Sequence, residues 1–173
     1  ILSGITTWAG TLARGLAGLG HRVMVLVHAV PGAEGAGPLT GLSGVRGVEV
    51  RVLEGMPGID EALGEPRPEL GAYRDTVEDL HRVTGGPVVV LPTYSAECFG
   101  LFAAVSRALP GVVRTVGWMH SDIPYDRLTL RHYGAMVHRF VGVSSEMVAG
   151  LREVMRTDGR AGDVVRIPYG VPI

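Results

Sequence analysis

The apolar positions of this chain change period repeatedly from one end to the other. Ile5, Trp8, Leu12, Leu16 and Leu19 recur at helical spacing, and the run stops at Gly20. Residues 23–27 then form an unbroken apolar stretch of the kind found in strands covered on both faces. Residues 29–46 are rich in Gly and Pro and read as a loop, followed by a short strand over 48–53 and a second irregular stretch over 54–69. Leu70, Tyr73, Val77 and Leu80 return to helical spacing, with Arg74, Asp75, Glu78 and Asp79 forming a solvated face around them. Further along, the pattern predicts strands over 88–91, 112–118, 140–143 and 164–167. Between them it predicts helices over 96–109, with Leu101, Val105 and Leu109 inward, and over 126–138. A third helix is capped by Ser144 or Ser145 and turns Met147, Val148, Leu151, Val154 and Met155 to the core. Repeated switching between helix and strand specifies an α/β protein with a predominantly parallel, doubly wound sheet and helices on both faces.

A length of 173 residues fits one domain with one core. A formal net charge of -1 gives no electrostatic hold on nucleic acid, and 46% hydrophobic residues argue against disorder. Cys98 stands alone, which rules out an internal disulfide and a multi-cysteine zinc site and fits a reducing compartment, with the cytoplasm as the default. No run approaches the roughly 20 apolar residues of a membrane span, and the start lacks the regions of a signal peptide, so the chain reads as soluble.

In open parallel sheets ligands gather beyond the carboxyl ends of the strands, which directs attention to the residues just after each apolar run. These are Ser3, Gly4, Ile5 and Thr6 before the first helix, His28, then Thr93, Tyr94, Ser95 and Glu97, then His120, Ser121 and Asp122, and finally Ser144, Ser145 and Glu146. Gly4 at a helix start lets backbone N–H groups approach an anion such as a phosphate, although on local chemistry alone a plain turn glycine is the commoner use. His120 sits beside Trp118, Ser121 and Asp122, where an imidazole can donate to a substrate hydroxyl or change charge near neutral pH. His28 lacks such neighbours. His132 and His138 fall on a predicted helix without a ligand pattern, and Asp122 and Asp126 flank Pro124 as a polar loop, so no metal site is expected. Ser144 and Ser145 lack the glycine elbow of a nucleophile.

Three segments carry a resemblance. SGITTWAGTLARGLAGLGHRVMVLV resembles the glycine loop, first helix and second strand of family-4 retaining glycosyltransferases of the glycosyltransferase-B fold. VHRFVGVSSEMVAGL followed by DVVRIPYGVPI resembles the last strand and helix of that family's first domain and the start of its interdomain linker. VGWMHSD resembles the acceptor-side loop with its histidine. The resemblance implies a Rossmann-like half of a glycosyltransferase-B fold, with residues 1–167 as the amino-terminal acceptor-side domain and residues 168–173 as the start of the linker. Only Ile1 and Leu2 precede the first turn, so the first strand of such a domain is expected to be missing.

The implied activity is transfer of a sugar, of the hexosyl or wider glycosyl class, from a nucleotide-sugar to an acceptor hydroxyl with retention. No metal or other cofactor is implied. The nucleotide would be held largely by a carboxyl-terminal domain outside these residues, which leaves this chain inactive alone. Ser3 and Gly4 would face the donor phosphates, His120 the reacting sugar, and Tyr94, Ser95, Glu97, Ser121 and Asp122 the acceptor. The implied partners are a nucleotide-sugar and an acceptor molecule or glycan, with room for peripheral membrane association of the full enzyme. Two positions depart from the family: Ser3 and Gly4 stand where paired glycines are common, and Tyr169 where asparagine is. Alternative readings are a nucleotide-sugar epimerase of related fold, which needs carboxylates at several strand ends, and a noncatalytic small-molecule-binding module.

Overall fold

The computed structural model describes residues 4–29, 37–54, 68–93 and 96–169. It is an α/β protein of Rossmann-like type in which every strand pairing is parallel. Two compact units follow one another along the chain, Ile1–Gly85 and Gly86–Ile173.

In the first unit, helix α1 (Gly4–Gly18) leads to strand β1 (Val23–Ala29), a short 3-10 turn (Gly37–Leu42), strand β2 (Val48–Glu54) and helix α2 (Pro68–Thr84). The exit of α1 is written in its glycine. His21 N–H donates to Leu16 C=O and Gly20 N–H to Ala17 C=O, both at 3.0 Å, around a left-handed Gly20 with φ of 89°. This double closure satisfies the last carbonyls and needs a residue without a Cβ. It also corrects one sequence expectation: Leu19 lies beyond the helix and is 78% exposed, because the chain turns before it can join the apolar face. The residues fully buried on α1 are Gly10 and Ala13. β1 pairs with β2 from Val23↔Val48 to Ala29↔Glu54, and its residues 23–28 are half-buried. Tyr73 and Val77 of α2 are buried as their spacing required.

The second unit holds a four-stranded sheet of order β3-β4-β5-β6, formed by Val88–Val90, Val113–Met119, Val137–Gly142 and Val164–Arg166. Neighbours in sequence are neighbours in the sheet, and parallel neighbours need a crossover. Helices α3 (Ala96–Ala108), α4 (Pro124–His132) and α5 (Ser145–Arg156) supply them. One core draws on all three, joining Phe99, Leu130, Val148, Leu151 and Met155 to Met119, Val137, Phe140 and Val164 of the sheet. Pro124 opens α4 where a missing N–H costs nothing. Ser144 caps α5 by accepting from Met147 N–H at 3.1 Å, the role expected of it.

The helix expected over 126–138 ends earlier, at His132. Tyr133 closes it by donating to Thr129 C=O at 3.0 Å, and Gly134 is buried where a Cβ would meet Met155 Sδ and the Phe140 ring at 3.9 Å. His138 therefore lies on β5 rather than on a helix. Its Nδ1 accepts from Thr115 N–H at 3.1 Å, at the irregularity where the β4–β5 register shifts between Thr115 and Val116. Among the described residues no helix is long and apolar enough to cross a membrane.

Candidate functional site

Four parallel strands in the second unit deliver their carboxyl ends to one edge, and that edge collects most of the polar residues singled out above. His120, Ser121 and Asp122 follow β4 directly, Ser144 follows β5, and Tyr169 lies three residues beyond the end of β6. β5 separates β4 from β6, so at a strand spacing of about 4.8 Å the two outer strands stand roughly 10 Å apart. Even so, Tyr169 Oη lies 2.6 Å from His120 Nδ1, which means that the tyrosine side chain spans the end of β5. Ile167 N–H donates to Gly142 C=O at 3.1 Å and carries the ladder past β6. Close packing beneath allows this. A Cβ on Gly142 would stand 3.0 Å from Val148 N, so the end of β5 meets the start of α5 tightly at this glycine.

The imidazole of His120 is half-buried and has two aromatic rings near it. Trp118 lies at a centroid distance of 6.4 Å and an interplanar angle of 16°, and Tyr169 at 6.1 Å and 15°. Burial pushes the His120 pKa below its ordinary value, against an opposing pull from the Asp126 carboxylate. Burial also pushes the Tyr169 phenol up. Near neutral pH the pair is therefore an uncharged imidazole against an uncharged phenol. Nε2 of His120 is screened from solvent.

Ser121 and Asp122 shape the loop around this pair. Ser121 Oγ donates to Asp126 at 2.6 Å, and Arg127 Nε donates to Asp122 at 2.7 Å, tying the loop to the first turns of α4. The Arg127 guanidinium also lies over α5, 3.4 Å from where a Cβ on Gly150 would be. Glu97 is exposed in the first turn of α3, after the end of β3. Tyr94 and Ser95 lie outside the described residues. Among the described residues no three His, Cys, Asp or Glu side chains come together as a metal-binding group.

In the first unit Gly4 opens α1 and is exposed, and a Cβ built on it meets nothing within 4 Å. Ser3 lies outside the described residues. His28 is at the carboxyl end of β1 and shares a 2.8 Å hydrogen bond with the buried Tyr73 hydroxyl, which gives this histidine a structural partner.

Sequence reasoning placed Tyr169 in a linker turn and gave it no part in the site. A phenol a few residues after a strand of the same sheet was the available signal, since every such position faces the same edge.

Two histidines give the protein a defined response to acid. His138 is also held below its ordinary value, first by burial and then by the Arg114 and Arg160 guanidinium groups. A depressed histidine pKa means that the unfolded chain takes up its proton first as pH falls. Stability is therefore fully present above the unfolded value near 6.5 and is lost as pH drops from there through the lower folded values. Urea unfolding at a series of pH values from about 7.5 to 5 is expected to show this fall, and a flat profile would contradict neutral imidazoles in the fold.

The model of Glycosyltransferase Family 4 matches residues 2–173. No curated protein and no solved structure matches the chain.

Proposed function

The chain belongs to glycosyltransferase family 4, and from that premise we propose that it is the acceptor-side half of an enzyme that moves a sugar from a nucleotide-sugar to an acceptor hydroxyl with retention. The observation that carries the reading is His120: an imidazole at the carboxyl end of a central strand, uncharged, and held by a hydrogen bond to Tyr169. A neutral imidazole in a desolvated pocket is suited to donate a hydrogen bond to a sugar hydroxyl as charge develops at the reacting carbon. It brings no fixed positive charge to compete with the donor phosphates. The acceptor oxygen forms the new bond to the anomeric carbon, the bond to the nucleoside diphosphate breaks, and the leaving phosphate takes up the acceptor proton. No protein side chain has to serve as that base.

In this reading the nucleotide is held mainly by a second domain outside these residues, and Ser3 and Gly4 face the donor phosphates. Glu97 belongs to the acceptor surface at the same edge of the sheet as His120, and Tyr94 and Ser95 contact the acceptor with it. Ser121 and Asp122 contribute by fixing the loop that carries the histidine, through Asp126 and Arg127.

Gly4 offers the sharpest test of the phosphate contact. Its missing Cβ points into open space, so Gly4→Val brings no clash, and the helix start tolerates it at a cost of roughly 1 kcal/mol or less. A bulky side chain would nevertheless block close approach of phosphate to the backbone N–H groups. The full-length enzyme carrying Gly4→Val is expected to keep its melting temperature and lose turnover by on the order of 10-fold or more, as loss of one or two charge-assisted hydrogen bonds requires. Full activity in that variant would make the glycine a turn residue only.

A further inference from the structure

We propose that Tyr169 is a positioning residue for His120: its phenol O–H donates to Nδ1 and so fixes the tautomer that carries the proton on Nε2, the nitrogen left for the reacting sugar. The proposal rests on the reading of His120 given above, and it adds a group that the family resemblance does not supply, since Tyr169 stands where asparagine is common.

Geometry and acid–base chemistry give the hydrogen bond its direction. The contact is short, 2.6 Å between Oη and Nδ1, and the two side chains come from positions 49 residues apart in the chain. A backbone turn cannot account for it. A neutral imidazole has one N–H and one basic lone pair, and the hydrogen bond made at one nitrogen decides which tautomer is present. A phenol oxygen shares its lone pair with the ring and accepts poorly, whereas its O–H is a good donor. The phenol, whose ordinary value of 10.0 is raised further by burial, is protonated, and burial holds the imidazole uncharged, so the arrangement O–H···Nδ1 satisfies both groups. The Asp126 carboxylate favours the protonated imidazole, but only against the larger effect of burial.

Orientation follows from the same contact. The Trp118 and Tyr169 rings both lie within 16° of the plane of the imidazole, which cannot turn about its Cβ–Cγ bond without losing the Tyr169 hydrogen bond. A donor that must be aimed at a developing charge gains from such restraint, because the reorganisation is done before the substrate arrives. Tyr169 itself is 41% exposed, so it can respond to a ligand settling at this edge of the sheet.

The test is NMR of histidine-labelled protein, with the His120 nitrogens assigned by their loss in His120→Gln. The parent protein at pH above the titration is expected to show an unprotonated Nδ1 and a protonated Nε2. Tyr169→Phe keeps the ring and the stack, removes only the hydroxyl, and is expected to move both resonances toward the values of exchanging tautomers. In the full-length enzyme the same variant is expected to lower kcat roughly 10-fold with the donor KM unchanged, as for one lost hydrogen bond to a catalytic group. A protonated Nδ1 in the parent, identical His120 spectra in parent and Tyr169→Phe, or a raised KM with normal kcat would each overturn the proposal. The stated tautomer in a protein that transfers no sugar would leave the hydrogen bond standing and remove the transferase reading it serves.

Discussion

Replacing His120 with alanine in the full-length enzyme is expected to reduce turnover at saturating donor by on the order of 100-fold or more, the loss typical of a donor positioned for the transition state. The structural cost should be small by comparison. His120 is half-buried, shares one hydrogen bond with Tyr169 and stacks on Trp118 and Tyr169, so its removal costs about 1–2 kcal/mol. For a protein of this size that is a fall in melting temperature of only several degrees. Rate and stability thus separate. A histidine kept for packing would reverse the pattern, with a lower melting temperature and normal turnover in the molecules that remain folded. Steady-state kinetics together with a thermal melt of the same preparation decide between the two outcomes.

The largest loss of stability is expected at Phe140. Its ring is 0% exposed at the centre of the second unit's core, with the Arg160 guanidinium 5.0 Å from its centroid. Arg160 also donates to the carbonyls of Gly134 and Val137 and pairs with Asp163, so it clamps the connection from α4 into β5 and the turn before β6. Phe140→Ala removes the ring, leaves a cavity among Gly134, Met155 and their neighbours, and withdraws the face on which the guanidinium rests. Substitutions of this kind cost about 3–5 kcal/mol, more than most single contacts in a fold. Chemical denaturation measures it directly. Val89→Ala makes the control, because Val89 is 56% exposed and its truncation should fall within about 0.5 kcal/mol of the parent. A loss below about 1 kcal/mol at Phe140 would mean that the core is not organised around this ring.

What the sequence disclosed and what it withheld follow from the range of the interactions involved. Helix exits and caps were legible because their chemistry is local: Gly20 ends α1 and Ser144 starts α5 through bonds that span three to five residues. The alternation of α and β was legible for the same reason, since each element declares its own period. The end of α4 was not. Leu130 and Val137 are both buried, at 2% and 1%, and seven residues apart they fit a continued helix as well as they fit a helix followed by a strand. The helix ends where Gly134 packs beside Met155 and Phe140, contacts that are not visible in the local pattern. His138 shifts from helix to strand as a consequence, and its bond to Thr115 crosses from β5 to β4.

The candidate site divides along the same line. Parallel-sheet logic led to His120, Ser121 and Asp122 because it needs only the position of a strand end. It could not show that Ser121 and Asp122 turn to Asp126 and Arg127, or that Tyr169 reaches back over β5 to the histidine. His28 was set apart from the site for want of polar neighbours in sequence, and its neighbour in space is Tyr73, 45 residues on.

The central claim is tested most directly by the stereochemistry of the product. The full-length protein is incubated with a panel of nucleotide-sugars and hydroxyl acceptors, and the anomeric configuration of the transferred sugar is read by proton NMR as the product forms. The account predicts consumption of one donor, release of its nucleoside diphosphate, and a product that keeps the donor's anomeric configuration, all lost together in His120→Ala. Inversion at the anomeric carbon, or donor turnover that His120→Ala leaves untouched, would contradict it.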